Sequence, residues 1–254
     1  ASDNVYVKGL TSSSTGEAAQ GVLNLEVDPV TTGVVPANIG IVVDGNLNLL
    51  DALNSSDTAS IYTTTDLTLD NNSKTISSNA VYLGSLGDVV VNGTNAINGV
   101  NSVNVHAGNN IKLQAGTLSS ATINLRSYNG AIEEASVFAL NAPAVNATAA
   151  GNILLDSDVN QLQQVNVSNT SGSITVGNGN TTNAALNIAI TTPNSIVGGD
   201  LIVHNYDKGE ANNIVLANKL QATGDISIIN EEANVGVGAG ADIIATNITL
   251  QADN

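Results

Sequence analysis

A short motif recurs along the chain: glycine, a small polar residue, then apolar–x–apolar. It reads Gly45-Asn46-Leu47-Asn48-Leu49, Gly87-Asp88-Val89-Val90-Val91 and Gly151-Asn152-Ile153-Leu154-Leu155, and it returns at Gly172, Gly199 and Gly224. Variants without the glycine begin at Asp66, Asn110 and Asn247. The first apolar positions, with Ile132 after Gly130-Ala131, are 47, 67, 89, 111, 132, 153, 174, 201, 226 and 248. Nine of these ten copies carry a second apolar residue two positions on, and Glu134 is the exception. A second apolar track runs Ile41, Ile61, Val81, Val103, Ile123, Val145, Val165, Leu186, Ile214, Val235. A weaker third runs Leu53, Ile76, Ile97, Leu118, Leu140, Leu162. Both main tracks lengthen around residues 186–214, as one enlarged coil requires.

Alternation with period 2 marks each element as a short strand, one face inward and one outward. Such a strand cannot bury its inner face alone; stacking on the same strand of the next coil completes it. The chain is therefore predicted to be all-β, a right-handed parallel β-helix (solenoid) of about 10–12 coils of roughly 21 residues. Three tracks predict a roughly triangular cross-section with a strand on each side. Gly, Asn and Asp supply the corners, where positive φ is often needed, and Asn and Ser at equivalent corners predict side-chain ladders along the rod. A sandwich would not hold a two-track register over ten repeats, and a helical solenoid needs a 3.6-residue period. Residues 41–254 form the predicted β-helix. Residues 1–40 are read as N-terminal coils, a cap or an extended arm: Val5-Tyr6-Val7 and Leu23-Asn24-Leu25 continue the motif, while the Ser/Thr stretch 11–15, Pro29 and Pro36 interrupt it.

Composition sharpens this picture. Hydrophobic residues are 42 % of the 254, but aromatics are 2 % and Trp is absent, so the core is built from small and β-branched side chains that favour strands. Aromatic platforms for sugar rings look nearly absent. Six basic against 22 acidic residues give a net charge of −16, which argues against nucleic acid or an anionic membrane surface as partner. The lack of Cys excludes a disulfide framework, a thiolate metal site and a Cys nucleophile. No run of 18 apolar residues is present, so membrane insertion is not expected. With no Met at position 1, the chain reads as a mature or excised piece of something longer.

The motif Gly-(Asp/Asn)-(Ile/Leu/Val)-x-(Leu/Val/Ile), repeated in an Asn-, Thr- and Ala-rich chain without Cys, resembles filamentous-haemagglutinin-like large exoproteins. These are surface proteins of Gram-negative bacteria, secreted by two-partner or autotransporter routes. The resemblance covers residues 41–250. It implies a right-handed parallel β-helix, an extracellular or cell-surface location, and roles in adhesion, biofilm or filament formation. The Asn-Pro-Asn-Gly-like motif of that family's secretion domain is absent.

Parallel β-helices also include polysaccharide lyases and hydrolases, whose carboxylates cluster on one face. The acidic pairs here are Asp156 with Asp158, Glu133 with Glu134, Glu231 with Glu232, and Asp207 with Glu210. A catalytic site needs acids at one height on neighbouring coils, and the positions one coil from Asp156 and Asp158, near Val137 and Asn178, are not acidic. Each pair is read as solvated surface charge. His106 and His204, separated by roughly five coils, read as outward-facing strand residues rather than a metal or catalytic pair. The enlarged coil collects Asp200, His204, Tyr206, Asp207, Lys208 and Glu210, the densest polar mixture in the chain. It is the best candidate for a binding loop, with His204, Tyr206, Asp207 and Glu210 as its contacts. The plain alternative is a tolerated surface insertion. No catalytic set, metal site or cofactor is expected.

The sequence thus points to a non-catalytic extracellular structural or adhesive β-helix, part of a surface adhesin or self-assembling filament of a Gram-negative bacterium. Expected partners are further copies of itself, end to end or by strand exchange, or cell-surface glycans or proteins. The alternative is a polysaccharide-active β-helix enzyme, a lyase or hydrolase.

Overall fold

The computed structural model describes residues 4–10, 22–25, 35–44, 46–49, 52–69, 75–93, 96–179, 186–190, 197–206, 213–216, 219–231, 233–239 and 241–252. Among these residues there are strands and turns but no helix, and so none long and apolar enough to cross a membrane. The strands stack in parallel into two principal sheets, one of twelve strands and one of nine. The nine-stranded sheet holds the motif strands from Leu67–Leu69 to Ile248–Ala252. The described residues form an all-β solenoid of about 8 turns, against the 10–12 coils expected, with a spacing of ~22 residues. That spacing slightly exceeds the expected 21 because Ile174 pairs with Leu201 and Leu201 with Ile226, steps of 27 and 25 residues. Upstream, Asn4–Leu10 pairs with Asn38–Asp44 and Val22–Leu25 with Asn46–Leu49, so the described strands within residues 1–40 lie in parallel on the first coil of the predicted helix.

The expected three-sided arrangement becomes two hydrogen-bonded sheets. In four successive coils the third and second tracks lie on one long strand: Thr75–Ser85, Ala96–Ala107, Gly116–Ser127 and Phe138–Ala149. In each of these strands the alternation of buried and outward residues breaks midway, and the register shifts between Gly99 and Ser102, where Val100 is exposed. Inward residues of all tracks merge into one core, with Phe138 its largest side chain. Each Ile, Leu or Val removed from water there contributes about 1.5–3 kcal/mol.

The motif itself has a physical cause. In the nine-stranded sheet an Asp or Asn before a triplet points along the rod and accepts the backbone N–H of the equivalent residue one coil later. Asp66 Oδ1 accepts from Asp88 N at 2.8 Å, Asp88 from Asn110 at 2.9 Å, Asn110 from Ala131 at 2.9 Å, and Asn152 from Ser173 at 2.9 Å. The column continues through Ser173, Asp200 and Asp225 to Asn247. The preceding glycine leaves room for that carboxylate or amide. A Cβ on Gly87 or Gly224 would lie 2.1 Å from Asp66 Oδ1 or Asp200 Oδ1. Gly172 meets the same constraint and also takes a φ of +78°, a region L side chains rarely adopt.

Candidate functional site

Outward positions of the long sheet line up in columns, one residue per coil. One column runs Ser60, Tyr82, Asn104, Asn124, Asn146, Asn166. Its four asparagines form a ladder: Asn124, Asn146 and Asn166 donate to the Oδ1 of the preceding Asn at 2.8, 2.8 and 2.7 Å. The neighbouring column runs Val42, Tyr62, Gly84, His106, Arg126, Thr148. Past the strand ends, Tyr128 follows Gly108 and Leu86 along a third line, through bonds from Tyr128 N to Ala107 O and from Gly108 N to Ser85 O.

Two glycines open a depression in this wall. The Tyr62 ring leans over Gly84, where an added Cβ would sit 2.9 Å from the ring, and the Leu86 carbonyl comes close enough that a Cβ on Gly108 would lie 1.9 Å from it. The result is a shallow trough of about 460 Å³, with Tyr62, Tyr82, Leu86, His106 and Tyr128 around the two glycines. Tyr82 and Tyr128 are 45 % and 51 % exposed, so ring faces are available to a ligand. Arg126, the single arginine, stacks on Tyr128 with its guanidinium carbon 4.5 Å from the ring centroid. His106 meets Tyr128 edge-on at 6.4 Å. Burial, helped by the charge of Arg126, holds the His106 imidazole below its usual pKa; Arg126 does not line the trough itself but stands beside it, over the ring of Tyr128. Among the described residues no carboxylate forms an ion pair with Arg126. The sparse aromatic content therefore does not preclude a platform: three of the five tyrosines converge here.

A second polar cluster sits at the C-terminal ends of neighbouring strands inside the nine-stranded sheet, Ile153–Asp156, Ile174–Asn178 and Leu201–Asn205. Asp156, Gly177 and His204 occupy one outward column. Tyr206 reaches back over Gly177, and its hydroxyl donates to Asp156 Oδ1 at 2.8 Å, two coils and 50 residues away. Burial, with the hydrogen bond and charge of Asp156, pushes that hydroxyl up to about 12, so it stays a neutral donor at physiological pH. The His204 ring packs on Tyr206 with centroids 3.9 Å apart, and its Nε2 lies 2.8 Å from Glu231 Oε1. Of the loop candidates, His204 and Tyr206 are thus brought together and braced against neighbouring coils. Asp207 and Glu210 lie outside the described residues, as does Glu232. The two histidines stand in different sheets.

Glu133 and Glu134 do not form a surface pair. Strand alternation turns Glu133 outward and Glu134 into the core, at the register position of Leu113 and only 5 % exposed. Its Oε2 accepts from Asn160 Nδ2 at 2.8 Å, and Oε1 has no hydrogen-bond partner among the described residues. Burial pushes this carboxyl up to about 8; the Asn160 hydrogen bond opposes the shift and the charge of Asp156 adds to it. Further along, an internal amide ladder continues from Asn178 to Asn205 (3.1 Å), Asn230 (3.0 Å) and the Asn234 carbonyl (3.0 Å). Asn160 and Asn178 also accept the backbone N–H groups of Leu140 and Leu162, each at 2.8 Å. These inward polar groups went unseen in the sequence because Asn and Glu carry no signal of facing.

Among the described residues no group of three His, Cys, Asp or Glu side chains is placed to hold a metal ion. Comparison with known protein families, with curated proteins and with solved structures finds no match.

Proposed function

We propose that the chain is a non-catalytic adhesive rod displayed on the surface of a Gram-negative bacterium, with the outer wall of its long sheet as the contact surface. The observation that carries this reading is that wall: side chains stand in columns at about 4.8 Å intervals along the rod, and one stretch of it departs from the polar ladder to gather Tyr62, Tyr82, Tyr128 and Arg126. Large exposed rings in a chain with so few aromatics fit a recognition surface. The resemblance of the repeat motif to large exoproteins supports the same location. Beads coated with the purified chain are expected to adhere to epithelial cells above an albumin control; beads that do not adhere contradict the proposal.

A glycan-cleaving reading rests on the cluster of Asp156, Tyr206, His204 and Glu231, which unites two hydrogen-bonded pairs through stacked rings. Release of new reducing ends or unsaturated products from a panel of acidic and neutral polysaccharides would favour it.

A further inference from the structure

We propose that the trough between Tyr62 and Tyr128 binds a glycan bearing an isolated carboxylated sugar, whose ring stacks on the exposed tyrosines and whose carboxylate pairs with Arg126. This deepens the adhesive reading and rests on it.

Three observations lead to that chemistry. The lining offers aromatic faces beside polar edges, the combination that suits a sugar ring with its apolar C–H face and hydroxyl rim. Its volume of about 460 Å³ lies in the range of small-ligand sites. Arg126 lies over the Tyr128 ring at the edge of the trough, without a carboxylate partner among the described residues, so its guanidinium charge is open to a carboxylate brought by a ligand.

Other occupants fit less well. An extended peptide would need an open sheet edge to add a strand. Here the strand Ala96–Ala107 is already paired on both sides, with Thr75–Ser85 and Gly116–Ser127. A polyanion would meet one cation in a chain of net charge −16 and be repelled along its length. A single carboxylate on an otherwise neutral glycan gains the Arg126 contact while meeting little of that repulsion.

The test is calorimetric or saturation-transfer titration of the full chain with 3′-sialyllactose, lactose and polygalacturonate. Sialyllactose is expected to bind at least tenfold more tightly than either of the others. Arg126→Gln should lower its affinity to the lactose level, Tyr128→Ala should weaken both lactose and sialyllactose, and Thr175→Ala, on the nine-stranded sheet and outside the trough, should change neither. Circular dichroism confirms that each variant keeps its β structure. Equal binding of lactose and sialyllactose, an unaffected Arg126→Gln variant, or no binding of sialyllactose overturns the proposal. The bead assay separates the two levels of inference. Arg126→Gln beads that adhere like wild type leave the adhesive reading standing and remove this one. Wild-type beads that fail to adhere remove the adhesive reading, while the titration still decides the trough.

Discussion

Glu134 should give this chain a pH dependence opposite to that of an ordinary surface carboxylate. Its carboxyl is pushed up to about 8 inside the fold, against 4.5 when unperturbed. Between those values the folded chain holds a proton that the unfolded chain releases. Stability from this residue is therefore complete below pH 4.5 and lost as pH rises toward 8. From pH 5.5 to 7.5 the loss amounts to about 2–3 kcal/mol, at ~1.36 kcal/mol per unit. For a chain of this size that corresponds to a fall in Tm of roughly 5–10 °C.

Glu134→Gln isolates the effect. The amide stays neutral throughout, is nearly isosteric, and keeps an oxygen for Asn160 Nδ2. The general repulsion from a net charge of −16 also varies with pH, but it is common to both proteins and cancels in their difference. Thermal unfolding followed by circular dichroism at several values from pH 5.5 to 7.5 should show wild type losing ground to Glu134→Gln as pH rises. A difference that stays flat, or that moves in favour of wild type, refutes the placement of a protonated carboxyl in the core.

Other perturbations test the ladders. Gly224→Ala drives a methyl against Asp200 Oδ1, which accepts the Asp225 N–H, and should cost about 1–3 kcal/mol in urea unfolding; an unchanged midpoint contradicts the motif's explanation. Asn146→Ala breaks the bonds to Asn124 and Asn166 and should cost about 1–2 kcal/mol by the same measurement. At Asp88 burial raises the carboxyl, but hydrogen bonds from Lys112 and Asn110 outweigh it and hold the group below 3.8. The advantage of wild type over Asp88→Ala should therefore be present above pH 3.8 and disappear as pH falls through the lowered value. An advantage that persists in stronger acid contradicts the pairing.

The first apolar track was legible residue by residue. From Leu67 to Ile248 every expected neighbour is the observed register partner, because the polar side chains before the triplets, which only Ala131 interrupts, bond the next coil at one fixed position. The other tracks lack that anchor. Ile61 pairs with Leu83 rather than Val81, Val165 with Ile188 rather than Leu186, and Leu162 with Ala142 rather than Leu140. All three are slips of two residues, which preserve which side chains face inward and so leave the hydrophobic pattern unchanged. The aromatic trough left a fainter trace. Tyr62, Tyr82, His106 and Tyr128 follow one another at 20, 24 and 22 residues, close to one coil each, but a composition poor in aromatics hides such a series. The Asn ladder at 104, 124, 146 and 166 shows the same period. Facing is the missing information: a lone Glu134 in an apolar position reads as a break in the motif, not as a buried acid.

The central claim is the coil-to-coil register, and the absence of Cys makes it directly measurable. Leu154 and Thr175 face each other on adjacent coils, whereas Glu133 and Thr175 are two coils apart. Adjacent coils place Cα atoms about 4.8 Å apart, within disulfide reach, and two coils about 9.6 Å, beyond it. After mild oxidation, the Leu154→Cys/Thr175→Cys protein should lose its free thiols as a monomer, while Glu133→Cys/Thr175→Cys should retain them. Free thiols in the first protein together with an intramolecular bond in the second would contradict the solenoid register on which the ladders, the buried Glu134 and the trough all depend.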